Sequence, residues 1–184
     1  SYSLAAATTT AFVGLGETRT DRAVRYVSPK FAGVQFHAEY ANMNGEDTAS
    51  TKKRYGGVGV SYANGPFYTA IAAETIKQAA GVAAEDPQIY SIAANYNFGV
   101  AKVFGGYQYA KDSVWGGEKL NAGTLGVSAP VAGGTVMASI AYAKGDNDRK
   151  LTTGAIGYKY SLSKRTYIYT DLAYAEDKTD TKTK

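Results

Sequence analysis

Ten stretches of this chain alternate side chains with a period of two, each over seven to ten residues. They are Asp21–Val27, Val34–Ala41, Tyr55–Ala63, Phe67–Thr75, Ile89–Asn97, Lys102–Ala110, Asn121–Ala129, Thr135–Ala143, Thr152–Ser161 and Thr166–Tyr174. Alternation with that period makes a strand with two unlike faces. The four prolines, Pro29, Pro66, Pro87 and Pro130, fall between or at the edges of these stretches. Proline cannot donate to a strand ladder, so that placement supports the strand boundaries. The expectation is an all-β chain, an antiparallel meander of ten strands.

The connections fall into two alternating sets. Ser28–Gly33, Asn64–Pro66, Phe98–Ala101, Pro130–Gly134 and Leu162–Arg165 are short and nearly uncharged. The others are longer and charge-rich, as in Asn42–Arg54 and Lys144–Lys150. Short turns at one end and charged loops at the other are the layout of an up-and-down barrel of the outer-membrane type. A soluble β-meander or lipocalin-like barrel has no reason to collect its charge at one end.

The two faces of the strands agree. Val34, Phe36, Ala38 and Tyr40 share one side of their stretch, opposite Gln35, His37 and Glu39. Tyr90, Ile92, Ala94, Tyr96 and Phe98 lie opposite Ser91, Ala93, Asn95 and Asn97. Val136, Ala138, Ile140 and Tyr142 lie opposite Thr135 and Ser139, and Ile156, Tyr158 and Tyr160 lie opposite Lys159 and Ser161. Mid-strand charges and amides would have to be neutralised inside a packed core, whereas a water-filled lumen solvates them. The apolar faces then meet lipid, with tyrosines at the headgroups; 16 Tyr against 1 Trp fits that use.

Composition narrows the function classes. With no cysteine there is no disulfide framework, thiolate metal site or Cys nucleophile. No run of about 18 apolar residues offers a transmembrane helix. No initiator Met and no charged-then-apolar leader stand at the start, so a signal peptide is expected to have been removed or not included. The net charge of +4 is modest, and Lys and Arg are interspersed with Asp and Glu, which argues against a nucleic-acid partner. The first strand enters a short turn and the tenth leads into the charged Glu176–Lys184, so both ends of the chain are expected on the long-loop side. Complete barrels have both termini on the other side, so an internal fragment is expected, unstable as a barrel alone because its strand edges would be unsatisfied in lipid.

Two motifs bear a resemblance. Residues Arg19-Thr20-Asp21-Arg22-Ala23-Val24-Arg25-Tyr26-Val27-Ser28-Pro29-Lys30-Phe31-Ala32-Gly33 resemble a segment of the trimeric Gram-negative general porins of the neisserial and betaproteobacterial type, in the pattern R-x-D-N-S-V-x-Y-x-S-P-x-F-x-G, departing from it at Arg22 and Ala23. Tyr158-Lys159-Tyr160-Ser161-Leu162-Ser163-Lys164-Arg165-Thr166 is similar to a turn and strand of the same family. The resemblance covers nearly the whole chain from Arg19 onward. It implies a transmembrane antiparallel up-and-down β-barrel, with this chain supplying the sixth to the fifteenth of sixteen strands. It implies a passive diffusion channel for small ions and hydrophilic solutes, a homotrimer when full length, outer-membrane lipid and lipopolysaccharide as surroundings, and no cofactor. It also implies that Ser1–Thr18 belongs to the loop that narrows the pore.

In a channel the chemistry is electrostatic filtering. Arg25 takes lumen parity if Val24 and Tyr26 face lipid, and Arg19 shares it. The resemblance places both on the wall facing the constriction, which implies a mild anion preference. Lys102, Lys159, Glu39, Glu74 and Asp171 also take lumen parity, whereas Arg22 has lipid parity and is expected at a rim or under a loop. His37 is the one histidine; a hydrolase would need it beside a Ser and an Asp or Asn, and no local motif supports that, so no enzyme is expected. Trp115 sits in a Gly-rich loop and is expected to pack locally. Glu85-Asp86 and Asp146-Asn147-Asp148 lack the spacing of a calcium loop and read as solvated charge, with no metal expected. The alternative function is a barrel used for surface binding, as an adhesin or receptor; loops of moderate length and low hydrophobicity favour the channel.

Overall fold

In the computed structural model, residues 23–44, 52–77, 86–113, 117–146, 149–163 and 165–179 are described. They form one ten-stranded sheet in strict sequence order: β1 (Ala23–Val27), β2 (Val34–Asn44), β3 (Lys52–Asn64), β4 (Phe67–Lys77), β5 (Gln88–Asn97), β6 (Lys102–Ser113), β7 (Gly117–Val131), β8 (Gly134–Gly145), β9 (Arg149–Ser161) and β10 (Tyr167–Thr179). Every neighbouring pair is antiparallel. The expected up-and-down meander is present, and there is no helix among the described residues. β1 and β10 are the two edges of the sheet.

The short turns are closed by the residues their backbone angles demand. Ala132 and Gly133, with φ of 49° and 77°, form the two-residue link between β7 and β8. Two successive positive φ values are the type I′ geometry, whose twist matches that of the flanking strands. Ser28 closes the turn between β1 and β2: its hydroxyl donates to the Pro29 carbonyl at 2.8 Å and accepts the Phe36 N–H at 2.9 Å. Ser163 closes the turn between β9 and β10 by accepting the N–H groups of Arg165 and Thr166 at 3.2 and 3.1 Å. Both motifs that carry the family resemblance therefore contain a turn-closing hydroxyl.

Two expectations need correction. The connection expected at Pro130–Gly134 is only Ala132-Gly133: Pro130 and Val131 end β7 and Gly134 begins β8, so Pro130 stands at the edge of its strand, opposite Thr135. The charged loops are also shorter than the charge pattern suggests. Residues 144, 145, 149 and 150, expected in a loop, continue β8 and β9, and Asn42–Asn44 and Lys52–Arg54 pair as strand. The physical reason is that a ladder can run on into water, where polar side chains cost nothing.

The apolar face is exposed along its whole width. Val60, Ile71, Ile92 and Tyr107 stand in one cross-strand row over β3 to β6, and Leu125 and Ile140 are paired on β7 and β8. Ile140 is 65% and Leu172 73% exposed. Aromatic clusters flank this band. Tyr90 and Tyr109 stack at 6.4 Å towards the charged-loop end. Tyr96 packs on Phe98 at 4.6 Å, and Tyr62 on Phe67 at 6.4 Å, at the short-turn end. A continuous apolar band between two aromatic girdles is the outside of a membrane barrel. Strands of ten or more residues rising about 3.3 Å each, tilted by about 40°, cover the apolar band of about 25 Å.

Candidate channel wall

Because partners directly opposite share a face, the register assigns the paired, described side chains to one face or the other. On the face away from the apolar band, one row runs Arg25, Glu39, Gly57, Glu74, Ile89, Ala110 and Leu120 across β1 to β7. The charged candidates Arg25, Glu39 and Glu74 are therefore brought to one level of the sheet. Arg25 and Glu39 are direct cross-strand partners, a few ångströms apart at Cα, and Glu74 lies one strand beyond Gly57. Gly57 leaves room for a side chain that sequence reasoning passed over. The Tyr55 ring lies across it, 7% exposed, with its hydroxyl beside the Glu74 carboxylate.

The other candidates lie on the same face but lower. Lys159 pairs with Thr135 and Tyr169, and its ammonium sits 4.1 Å above the centre of the Tyr167 ring. Asp171 lies opposite Gly157, where an added Cβ would collide with its carboxylate. Lys102 is exposed at the start of β6, between Asn97 and Ser128. Six of the seven candidates thus share one face. Arg19 lies outside the described residues, as do 1–18, Arg22, Trp115 and Glu85.

His37 meets the Ser61 hydroxyl at 3.0 Å through Nε2. Its Nδ1 has no hydrogen-bond partner among the described residues, so no carboxylate orients the ring as nucleophilic catalysis requires. Asp146 is a structural residue: its carboxylate accepts the Lys119 N–H at 3.1 Å while its own N–H donates to the Lys119 carbonyl at 3.0 Å. Among the described residues no three His, Cys, Asp or Glu side chains group as metal ligands.

Sequence reading also missed a charge pair and an apolar patch on this face. Arg149, expected in a loop, is the first residue of β9 and forks onto the Asp177 carboxylate, with contacts of 2.6, 3.2 and 3.2 Å. The patch adds an apolar stretch to a face that otherwise carries charges and amides. Ile89, Ala110, Leu120, Ala122, Ala141, Ala143 and Leu151 form a buried cluster there, none more than 6% exposed. Four of the seven are Ala, which is neutral to an alternation pattern; the signal that the sequence did carry is Ile89, Leu120 and Leu151 at the parity of the polar face.

Comparison with known proteins agrees with this geometry. The family model described as Gram-negative porin matches residues 1–180. The chain is 36% identical over 167 residues to outer membrane porin protein 32 of Delftia acidovorans, covering 87% of this chain and 47% of that protein. It is 26% identical to an outer membrane porin protein of Bordetella pertussis, covering 89% of this chain and 54% of that one. Among solved structures, the anion-selective porin from Comamonas acidovorans superposes with a TM-score of 0.75 at 35% identity, over 87% of this chain and 50% of that one. A loop-deletion mutant of the Vibrio cholerae outer membrane protein OmpT shares the fold, with a TM-score of 0.73 at 18% identity, over 92% of this chain and 62% of that one. The chain spans about half the length of the curated relatives it matches.

Proposed function

This chain belongs to the Gram-negative porin family of the bacterial outer membrane, and from that premise we propose that its ten strands are wall segments of a passive diffusion channel for small ions and hydrophilic solutes. The observation that carries the reading is the division of the sheet: one face is an exposed apolar band between aromatic girdles, and the other holds Arg25, Glu39, Glu74, Lys102, Lys159 and Asp171. A wall of fixed charges with low-dielectric backing filters ions by sign and passes solutes by size. Nothing in this role needs a cofactor or a catalytic group, and the His37–Ser61 contact serves to hold the wall. The surface-receptor alternative draws no support from the matched relatives, which carry porin names.

Arg25, together with Arg19, biases the pore towards anions, against Glu39 and Glu74 on the same level. The likeness to a porin named as anion-selective supports that sign. The full-length protein works as a homotrimer surrounded by outer-membrane lipid and lipopolysaccharide. The test is conductance of the full-length protein across a planar bilayer, paired with swelling of liposomes in sugars of increasing size. Stepwise ohmic channels and a size cut-off are expected; a protein that inserts but neither conducts nor admits small sugars would overturn the reading.

A further inference from the structure

On the charged face of the sheet, an uncharged stretch of wall separates two charged levels. Glu74, opposite Ile89, lies above it on the charged-loop side, and Lys102, opposite Asn97, lies below it. Three rows stand between these levels, each about 7 Å from the next. The uppermost pairs Ser91 with Gln108, the middle one pairs Ala93 with Gly106, and the lowest sets Tyr68, Asn95 and Phe104 in line across β4 to β6.

A cleft of about 380 Å³ opens over these rows, and no Asp, Glu, Lys or Arg among the described residues lines it. Its floor is small: a Cβ added to Gly106 would meet its neighbours, Ala93 and Thr124 among them, at no less than 3.4 Å. Two rings bound its short-turn end. Tyr68 is exposed, and Phe104 lies across Gly126, where an added Cβ would collide with the ring. Gln108 bounds the other end. It is 6% exposed, and its Oε1 has no hydrogen-bond partner among the described residues. A buried amide oxygen without a donor is a standing cost, which an entering hydroxyl removes.

Resting on the channel reading, we propose that this cleft is a wall subsite for neutral, polyhydroxylated ring solutes, with the chemistry of a pyranose sugar. The C–H groups of a sugar face pack against the Tyr68 and Phe104 rings, whose faces carry the negative part of the ring quadrupole. A sugar hydroxyl donates to Gln108 Oε1, and the Asn95 amide offers a second polar contact beside the rings. The Ala93 and Gly106 floor lets the solute approach the backbone. An ion gains nothing in a lining without charge, so ions and sugars are sorted at different levels of one wall. One ring edge and a few polar groups hold a solute weakly, and transit requires that it also leave.

The experiment inserts the full-length protein in a planar bilayer and titrates maltose against the potassium chloride current. Maltose is expected to lower the current saturably, with half-saturation in the millimolar range. A polyethylene glycol of equal mass should lower it only in proportion to concentration. Gln108→Leu should raise the half-saturation concentration about tenfold, the loss of one hydrogen bond. Gly106→Val fills the floor without touching a polar group and should abolish saturation while the channel still conducts. Met137→Leu, on the same face of β8 and outside the cleft, should behave as wild type. A maltose effect no larger than that of the polyethylene glycol would overturn the proposal. So would half-saturation unchanged in both cleft variants, or saturation by sodium benzoate in place of maltose, which would make the cleft a site for aromatic anions. Ohmic channels without sugar saturation count against the subsite alone, whereas inserted protein that passes no current overturns the channel and the subsite with it.

Discussion

The Tyr55 hydroxyl lies above the Cα of Gly57, so close that a Cβ built on Gly57 would sit 2.9 Å from it. The two residues are i and i+2 on one strand and share a face, and the missing side chain of one is the space filled by the other. Glu74, opposite Gly57, is held at the same place.

Gly57→Ala should therefore displace the Tyr55 ring and the Glu74 carboxylate, at a cost of about 1–3 kcal/mol of overpacking. Gly56→Ala is the control, because a Cβ there meets nothing within 4 Å. It should fall within about 0.5 kcal/mol of wild type. Thermal unfolding of the full-length protein in detergent, followed by loss of β-sheet circular dichroism, separates the two.

Ion selectivity should respond with opposite signs on one level of the wall. Arg25→Ala is expected to move the reversal potential under a salt gradient towards cation preference. Glu39→Gln and Glu74→Gln are expected to move it towards anion preference. Both effects should shrink as ionic strength rises, since the screening length falls from about 10 Å at 0.1 M to about 3 Å at 1 M. Reversal potentials that stay put at low salt for all three variants would make these residues plain wall.

The two turn serines should differ in weight. Ser28 is 7% exposed, so Ser28→Ala leaves the Phe36 N–H without its partner, costing about 1–2 kcal/mol. Ser163 is exposed, and water can replace it at Arg165 and Thr166, so Ser163→Ala should cost less than about 1 kcal/mol. Urea midpoints of the refolded variants would rank them; the reverse order would contradict the hydrogen-bond account.

Ala132 holds a left-handed backbone that its Cβ disfavours. Ala132→Asn would make the Asn-Gly pair preferred in type I′ turns and should stabilise the β7–β8 hairpin by about 0.5–1 kcal/mol. A higher unfolding midpoint checks this.

Faces were legible in the sequence because the side-chain period of a strand is two, so one correct residue sets all the others. Arg25, Glu39, Glu74, Lys102, Lys159 and Asp171 were placed on one face by parity alone, and the register agrees. Strand ends were not legible. Lys144 and Lys150 look like loop residues, and nothing local shows that the ladder continues between them into water. The Arg149–Asp177 fork was missed for the same reason. Tyr55 was read as one more strand aromatic, because only the neighbouring strand's Glu74 reveals what its hydroxyl meets.

Every described strand pairs only with the strands next to it in sequence. No long loop has to close before a contact forms, so the entropy of ordering is met in small equal steps, one hairpin at a time. The tight links at Gly65 and at Ala132-Gly133 bring their flanking strands together within a few residues and are natural starting points for such growth. β1 and β10 are the edges of this sheet, each with one row of backbone groups that no described strand pairs, which makes the edges, rather than any hairpin, the place where assembly in a membrane can stall.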